Sequence, residues 1–206
     1  MKKLLGVISA LFIVASPWVL YWTLSQHRLD VAASVLIGWV IVRTIPIVLS
    51  ARREQRVAAL QLPAIALAFA VLGWVANDAT CLMVLPSATQ AAFGFAFLRS
   101  LSGVPLIEHF ARMVKPELSP GELAHCRRWT RIWGGYLLVL AALGLVLARW
   151  APLAVWTVYV GVVIYVLVGV LFAIEYVIRK IRFRDYGRNP LDWLLGKLFP
   201  ARPELS

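Results

Sequence analysis

Six apolar stretches, each long enough to carry a helix across a bilayer, constrain this chain more than any other feature. A helix rising about 1.5 Å per residue needs roughly 17–25 apolar residues to cross about 30 Å of hydrocarbon, where every backbone N–H and C=O must be satisfied without water. Such stretches lie at residues 4–24, 31–49, 57–76, 81–98, 132–148 and 153–174. They predict an all-α fold, a polytopic transmembrane helical bundle of six spans forming a single integral membrane domain over residues 1–206. The composition agrees: 61% of residues are hydrophobic and 15% charged, where an average globular chain carries roughly 25% charge. The first stretch follows Met1-Lys2-Lys3 as a secretory signal would. It continues through Trp18, Leu20 and Trp22 with no small-x-small cleavage pattern, and it is read as a span. Only Asn77-Asp78-Ala79-Thr80 separates the third stretch from the fourth, so a re-entrant hairpin over 57–98 is the alternative to two full spans.

Lysine and arginine collect in cytoplasmic segments because translocating them is disfavoured, and this sets the orientation. With both termini inside, all but three of the 21 basic residues fall on the cytoplasmic side; Arg28 and Arg149 lie outside and Arg43 lies within a span. Five or seven spans would put a large basic segment on the wrong face. The net charge of +11 is therefore mostly a topology signal. Its default partners are membrane lipids, including anionic headgroups, and no nucleic-acid motif accompanies it. Cys81 and Cys126 lie in different segments and form neither a disulfide framework nor a Cys-x-x-Cys site.

An ionisable residue inside a span costs at least about 2.5–3.5 kcal/mol and is a functional candidate by default. Arg43 is the one well inside; it can snorkel to nearby headgroups or bind substrate, and Pro46 follows it. The fourth span carries Ser87, Thr89 and Gln90 beside Pro86, with Ala91, Ala92 and Gly94. Small and amide-bearing residues of this kind mediate helix contact in membranes, and packing is favoured over a transport path. The two three-helix halves show no internal repeat.

The cytoplasmic loop 99–131 is shorter than the roughly 40 residues below which a chain rarely builds its own core. It divides into two helices. Leu106, Ile107, Phe110, Met113 and Val114 share one face opposite Glu108 and Arg112 until Lys115-Pro116, an amphipathic in-plane helix. Ser119-Pro120-Gly121-Glu122 has capping-box spacing with Pro at the first helical position, and predicts a second helix running into the fifth span. Arg127, Arg128 and Arg131 are then placed at the membrane surface, with Trp129 and Trp133 as interfacial anchors. Glu108, His109, His125 and Cys126 are the candidate catalytic residues. The adjacent pairs Glu108-His109 and His125-Cys126 point about 100° apart on a helix and do not converge on one ion. A His-x4-Asp acyltransferase pattern fails because Val114 stands five after His109, and neither a phosphate loop nor a nucleophile elbow is present. No cofactor and no metal site is assigned.

The basic tail, residues 175–206, begins Glu175-Tyr-Val-Ile-Arg-Lys-Ile-Arg-Phe-Arg-Asp-Tyr186, which reads as a membrane-surface helix carrying Arg179, Lys180, Arg182 and Arg184. A second short interfacial helix is predicted to start at Pro190, with Asn189 as its cap.

Pro105-Leu-Ile-Glu-His-Phe-Ala-Arg112, Cys126-Arg-Arg-Trp-Thr130 and Glu175-Tyr-Val-Ile-Arg-Lys-Ile-Arg-Phe183 together resemble a family of small polytopic inner-membrane proteins. That family is encoded within bacterial aryl polyene and xanthomonadin-like pigment biosynthesis clusters. The resemblance implies a bacterial inner (cytoplasmic) membrane beside a fatty-acid-like pathway, with acyl carrier protein and other biosynthetic enzymes as partners. It transfers no catalytic residue, and His125 departs from the aromatic residue expected before the cysteine. Three functions follow as expectations. The first is a non-enzymatic component that recruits or organises acyl carrier protein-dependent biosynthesis through Arg127, Arg128, Arg131, Arg179, Lys180, Arg182 and Arg184. The second is a transporter or flippase subunit for a lipid-linked product, using Arg43 and Gln90. The third is a membrane-bound acyl-transfer enzyme built on Glu108, His109, His125 and Cys126.

Overall fold

The computed structural model describes residues 15–50, 56–184, 186 and 190–199, and every regular element among them is helical. In chain order these are α1 over residues 15–25, α2 (Leu29–Ser50), α3 (Arg56–Ala76), α4 (Ala79–Ser100), α5 (Leu106–Val114), α6 (Pro120–Trp150), α7 (Leu153–Val158), a π turn (Tyr159–Val163), α8 (Ile164–Phe183) and α9 (Pro190–Leu198). Among the described residues, three helices are long and apolar enough to cross a membrane: Ala79–Ser100, Pro120–Trp150 and the continuous Leu153–Phe183 helix that contains α7, the π turn and α8. Leu29–Val42 and Pro63–Ala76 are shorter apolar stretches. The three long helices leave Phe93, Phe95, Val139, Val166 and Phe172 exposed, a pattern that water penalises and lipid accepts. These are the helices of a membrane protein.

Turn chemistry explains where the helices stop. Asn77 ends α3 at φ 51°, and the Asp78 N–H returns to the Gly73 carbonyl at 3.0 Å, so a left-handed residue closes the helix. Asp78 then caps α4, its Oδ1 accepting the Thr80 N–H at 2.8 Å. On either side of this turn, α3 and α4 are unbroken over 21 and 22 residues, about 32 Å each. His27, at φ 55°, makes the equivalent turn between α1 and α2, with the Arg28 N–H on the Thr23 carbonyl at 2.9 Å.

One expectation changes here. Glu175–Phe183 is not a separate surface helix but the last turns of α8, because no proline or capping residue interrupts the run from Val158. The helix ends at Arg184, where φ is 53° and the N–H bonds the Lys180 carbonyl at 2.8 Å.

The chain divides into two compact units, residues 1–93 with 137–164, and residues 94–136 with 165–206. In the first, Trp156 is completely buried among Leu20, Ala32, Ala70, Leu82, Met83, Ala148, Tyr159 and Val160. Alanines at 32, 33 and 70 let backbones approach closely, which is how helices associate where lipid removes the hydrophobic drive between them. The π turn brings the Tyr159 hydroxyl to the Leu140 carbonyl at 2.6 Å, supplying a buried hydroxyl with an acceptor. Gly144 faces Ser87 so closely that an added Cβ would collide with the Ser87 Oγ. Gly144→Ala is therefore expected to lower stability in mixed micelles by about 1–3 kcal/mol, the usual cost of overpacking. The Gly144→Ala/Ser87→Ala double variant should recover most of that loss in the same unfolding measurement.

Candidate functional site

The second unit gathers the polar chemistry, and it begins with a capped helix. The Ser119 N–H donates to Glu122 Oε2 at 2.8 Å and the Glu122 N–H donates to Ser119 Oγ at 3.4 Å, the reciprocal pair that the Ser-x-x-Glu spacing predicts. Lys115 Nζ adds a 3.0 Å bond to Glu122 Oε1. Burial alone would raise the Glu122 carboxyl, but the Ser119 and Lys115 donors outweigh it and hold the group below its ordinary value of 4.5.

From this start, Glu122, His125, Cys126, Trp129, Thr130 and Trp133 recur at three- and four-residue spacing, and all six are buried. They form the inward face of the first turns of α6, ahead of the apolar span at 132–148. Helix α5 lies on this face through Ile107 and Ala111. The Thr130 hydroxyl donates to the Cys126 carbonyl at 2.8 Å and accepts the Ile107 N–H at 3.3 Å, while Ser100 Oγ accepts the Leu106 N–H at 3.0 Å. Two of the orphan donors at the start of α5 thus find side-chain acceptors. Arg127 Nη2 bonds the Leu101 carbonyl at 2.8 Å and ties down the intervening loop. The predicted apolar face of α5 is only partly internal: Ile107 is buried, while Phe110, Met113 and Val114 point outward.

Trp129 and Trp133 are not interfacial anchors. They lie on the same stripe as Thr130 and Cys126 and are 5% and 4% exposed. The Trp133 ring packs on Phe172 at 4.5 Å and its Nε1 donates to Glu175 Oε2 at 3.4 Å, so its polar atom is satisfied inside the protein. The Tyr136 hydroxyl reaches the Leu167 carbonyl at 3.0 Å in the same seam.

His125 sits between Trp129 and Phe183, with ring centroids at 5.9 and 5.4 Å, and its Nε2 is buried without a hydrogen-bond partner. Burial first, then the charges of Arg179, Arg182 and Arg128, push its imidazole down to about 4. Cys126 is 1% exposed, and burial pushes its thiol up, away from the thiolate. Glu108 pairs with Arg112 at 2.8 Å, and exposed His109 lies against Phe110. No hydrogen bond links Glu108, His109, His125 and Cys126 to one another, and no group of three metal-ligating side chains occurs among the described residues.

The seven basic residues differ in exposure, Arg179 and Arg184 being half-buried. Arg127, Arg128, Arg131 and Arg182 are exposed. Lys180 is not available for docking: its Nζ pairs with the buried Asp192 carboxylate at 2.9 Å, and the Tyr176 hydroxyl donates to the other oxygen. Sequence reasoning missed this latch, although a lone acid in the apolar nine-residue helix α9 was the available signal. Of the residues assigned within spans, Gln90 keeps its Oε1 buried and without a partner, and so does the Ser87 hydroxyl. The Arg43 side chain and the predicted cap Asn189 lie outside the described residues. Compared with family models, curated proteins and solved structures, the chain matches none.

Two outcomes follow from this geometry. The folded-state Glu122 carboxyl is depressed, so its stabilisation is present above about pH 4.5 and is lost as pH falls through the folded value. Melting temperature should fall more steeply from pH 5 to pH 3 in the parent chain than in Glu122→Gln. Removing Asp192 leaves the Lys180 ammonium and Tyr176 hydroxyl without that carboxylate, at a cost of about 3 kcal/mol. Amide exchange in α9 should then accelerate roughly a hundredfold in Asp192→Ala, as measured by hydrogen–deuterium exchange.

Proposed function

We propose that the chain is a multi-pass protein of a bacterial inner membrane, with six spans and both termini in the cytoplasm. Its role in this reading is to recruit or organise acyl carrier protein-dependent biosynthesis of an aryl polyene type at the cytoplasmic face, without catalysing a step itself. The observation that carries the reading is the exposed basic side of α6. Arg127, Arg128 and Arg131 are exposed at its first turns, and no ion pair with a carboxylate engages them among the described residues. Guanidinium groups without a carboxylate partner, grouped in this way, speed encounter with an acidic partner surface and orient it. The buried stripe beneath them keeps that side rigid, which lowers the ordering cost of association. Placing this side in the cytoplasm rests on the lysine and arginine asymmetry, and the pathway rests on the sequence resemblance.

A transporter or flippase subunit is the second reading. Buried, unpartnered Ser87 Oγ and Gln90 Oε1 on one membrane helix favour it, since such groups line polar paths as well as helix contacts. Acyl transfer has less support, because Cys126 is sealed in and Glu108 is engaged by Arg112.

The test is photo-crosslinking in intact cells from a probe at His109. Docking predicts adducts to an acidic carrier protein that drop at least about tenfold in Arg127→Glu/Arg131→Glu, with membrane insertion unchanged. Adducts that persist at the parental level would refute docking. Product accumulating inside cells carrying Gln90→Leu would favour transport.

A further inference from the structure

We propose that Arg128, Arg179 and Arg182 form a binding site for a phosphate group, with His125 as its floor. The site shares Arg128 with the docking surface but otherwise rests on Arg179, Arg182 and His125, and it goes beyond the docking reading. Its geometry begins with the contact between the His125 and Phe183 rings, which brings the start of α6 against the end of α8. Arg128 lies one turn beyond His125, and Arg179 and Arg182 lie one turn apart beside Phe183. The Arg182 guanidinium lies over the Phe183 ring at 5.6 Å, the same ring that the imidazole meets.

Helical spacing thus puts Arg128 one turn from His125 and Arg179 one turn from Phe183, the two rings that meet, and like charges brought to one contact repel one another unless an anion joins them. Among the described residues none of the three has a carboxylate within ion-pair distance. Four acids of this unit have hydrogen-bonding partners outside the cluster: Glu175 in Trp133, Asp192 in Lys180 and Tyr176, Glu122 in Lys115 and Ser119, and Glu108 in Arg112. The floor has an open valence as well. His125 is 2% exposed, and its buried Nε2 has no hydrogen-bond partner, a rare condition for a polar atom in a packed interior.

A phosphate suits this set better than a carboxylate does. Guanidinium forks bind phosphate oxygens through paired N–H donors, and three forks approaching from two helices match a tetrahedral anion rather than a planar one. Neutral imidazole with its proton on Nε2 adds a donor to a remaining oxygen once the Phe183 ring turns aside. The position fits too, since these residues immediately precede the apolar stretch 132–148 and follow the stretch 153–174, where the headgroups of a surrounding bilayer would lie. Lipid headgroup and free phosphate share this chemistry.

The experiment uses the full chain in maltoside micelles with ¹⁵N-imidazole labelling, so that the His125 Nε2 resonance reports binding. The probes are dioleoyl phosphatidylglycerol, inorganic phosphate and oleate, the last an anionic amphiphile without phosphate. A phosphate-bearing probe should shift the resonance saturably, and Arg179→Gln/Arg182→Gln should weaken it at least about tenfold. Arg127→Gln/Arg131→Gln, which removes the same charge outside the cluster, should change it less than about twofold; because these residues carry the docking reading, failure of that reading leaves this result untouched. Binding of the lipid alone assigns a headgroup, and binding of inorganic phosphate assigns a free phosphate. Should the double variant not fold, exposed Arg182→Gln gives the same comparison. No shift with either phosphate probe, equal weakening in both double variants, or oleate binding as tightly as the lipid would each overturn the site.

Discussion

The Ser119–Glu122 capping box is the interaction on which residues 94–136 and 165–199 most depend. It satisfies the first N–H groups of α6 and sets the rotation at which that helix begins. Once this start is set, 3.6-residue periodicity places His125, Cys126, Trp129, Thr130 and Trp133 on the same inward stripe. It leaves Arg127, Arg128 and Arg131 on the other side. The buried and the charged faces are thus two consequences of one helix phase. A loop shorter than an autonomous core requires acquires its order from this stripe, because α5 supplies Ile107 and Ala111 to it and receives hydrogen-bond acceptors from Thr130 and Ser100.

Polar groups are satisfied with unusual economy in this unit, and the exceptions are informative. Trp133 meets Glu175, Tyr136 meets a backbone carbonyl, and Asp192 binds both Lys180 and Tyr176. Against that background, the unpartnered Nε2 of His125 stands out, as do the guanidinium groups of Arg128, Arg179 and Arg182 that bear on it. In the other unit the exceptions are Ser87, Gln90 and Trp156, each with a buried polar atom lacking a partner. Burial without compensation is costly in both settings, so these atoms mark where a ligand, water or motion has consequences.

Helix α9 shows how an inverted pattern arises. Asp192 faces the protein, while Leu191, Trp193, Leu194 and Leu198 face outward. In water that arrangement would be unfavourable, but beside a bilayer it places the apolar side chains in lipid and keeps the carboxylate with Lys180. Exposed Phe110, Met113 and Val114 on α5 follow the same logic. Amphipathicity read from sequence shows that such a helix has two faces. Which one the protein takes depends on the medium on its other side.

By itself the sequence determined the helical class, the apolar lengths, the α3–α4 turn and the start of α6. Each of these rests on local physics: hydrocarbon thickness, a capping side chain, or a left-handed Asn77. It also named Arg127, Arg128 and Arg131 as surface charges, because basic residues next to an apolar run cannot follow it into lipid. Only the tertiary structure decided that Trp129 and Trp133 are internal, that Lys180 is bound to Asp192, and that His125 lies against Phe183. Those facts join residues 12 to 58 positions apart, and helical periodicity carries no information about which face of one helix meets which face of another. That choice is made by side-chain shape and by the satisfaction of buried polar atoms, which exist only once the helices have packed.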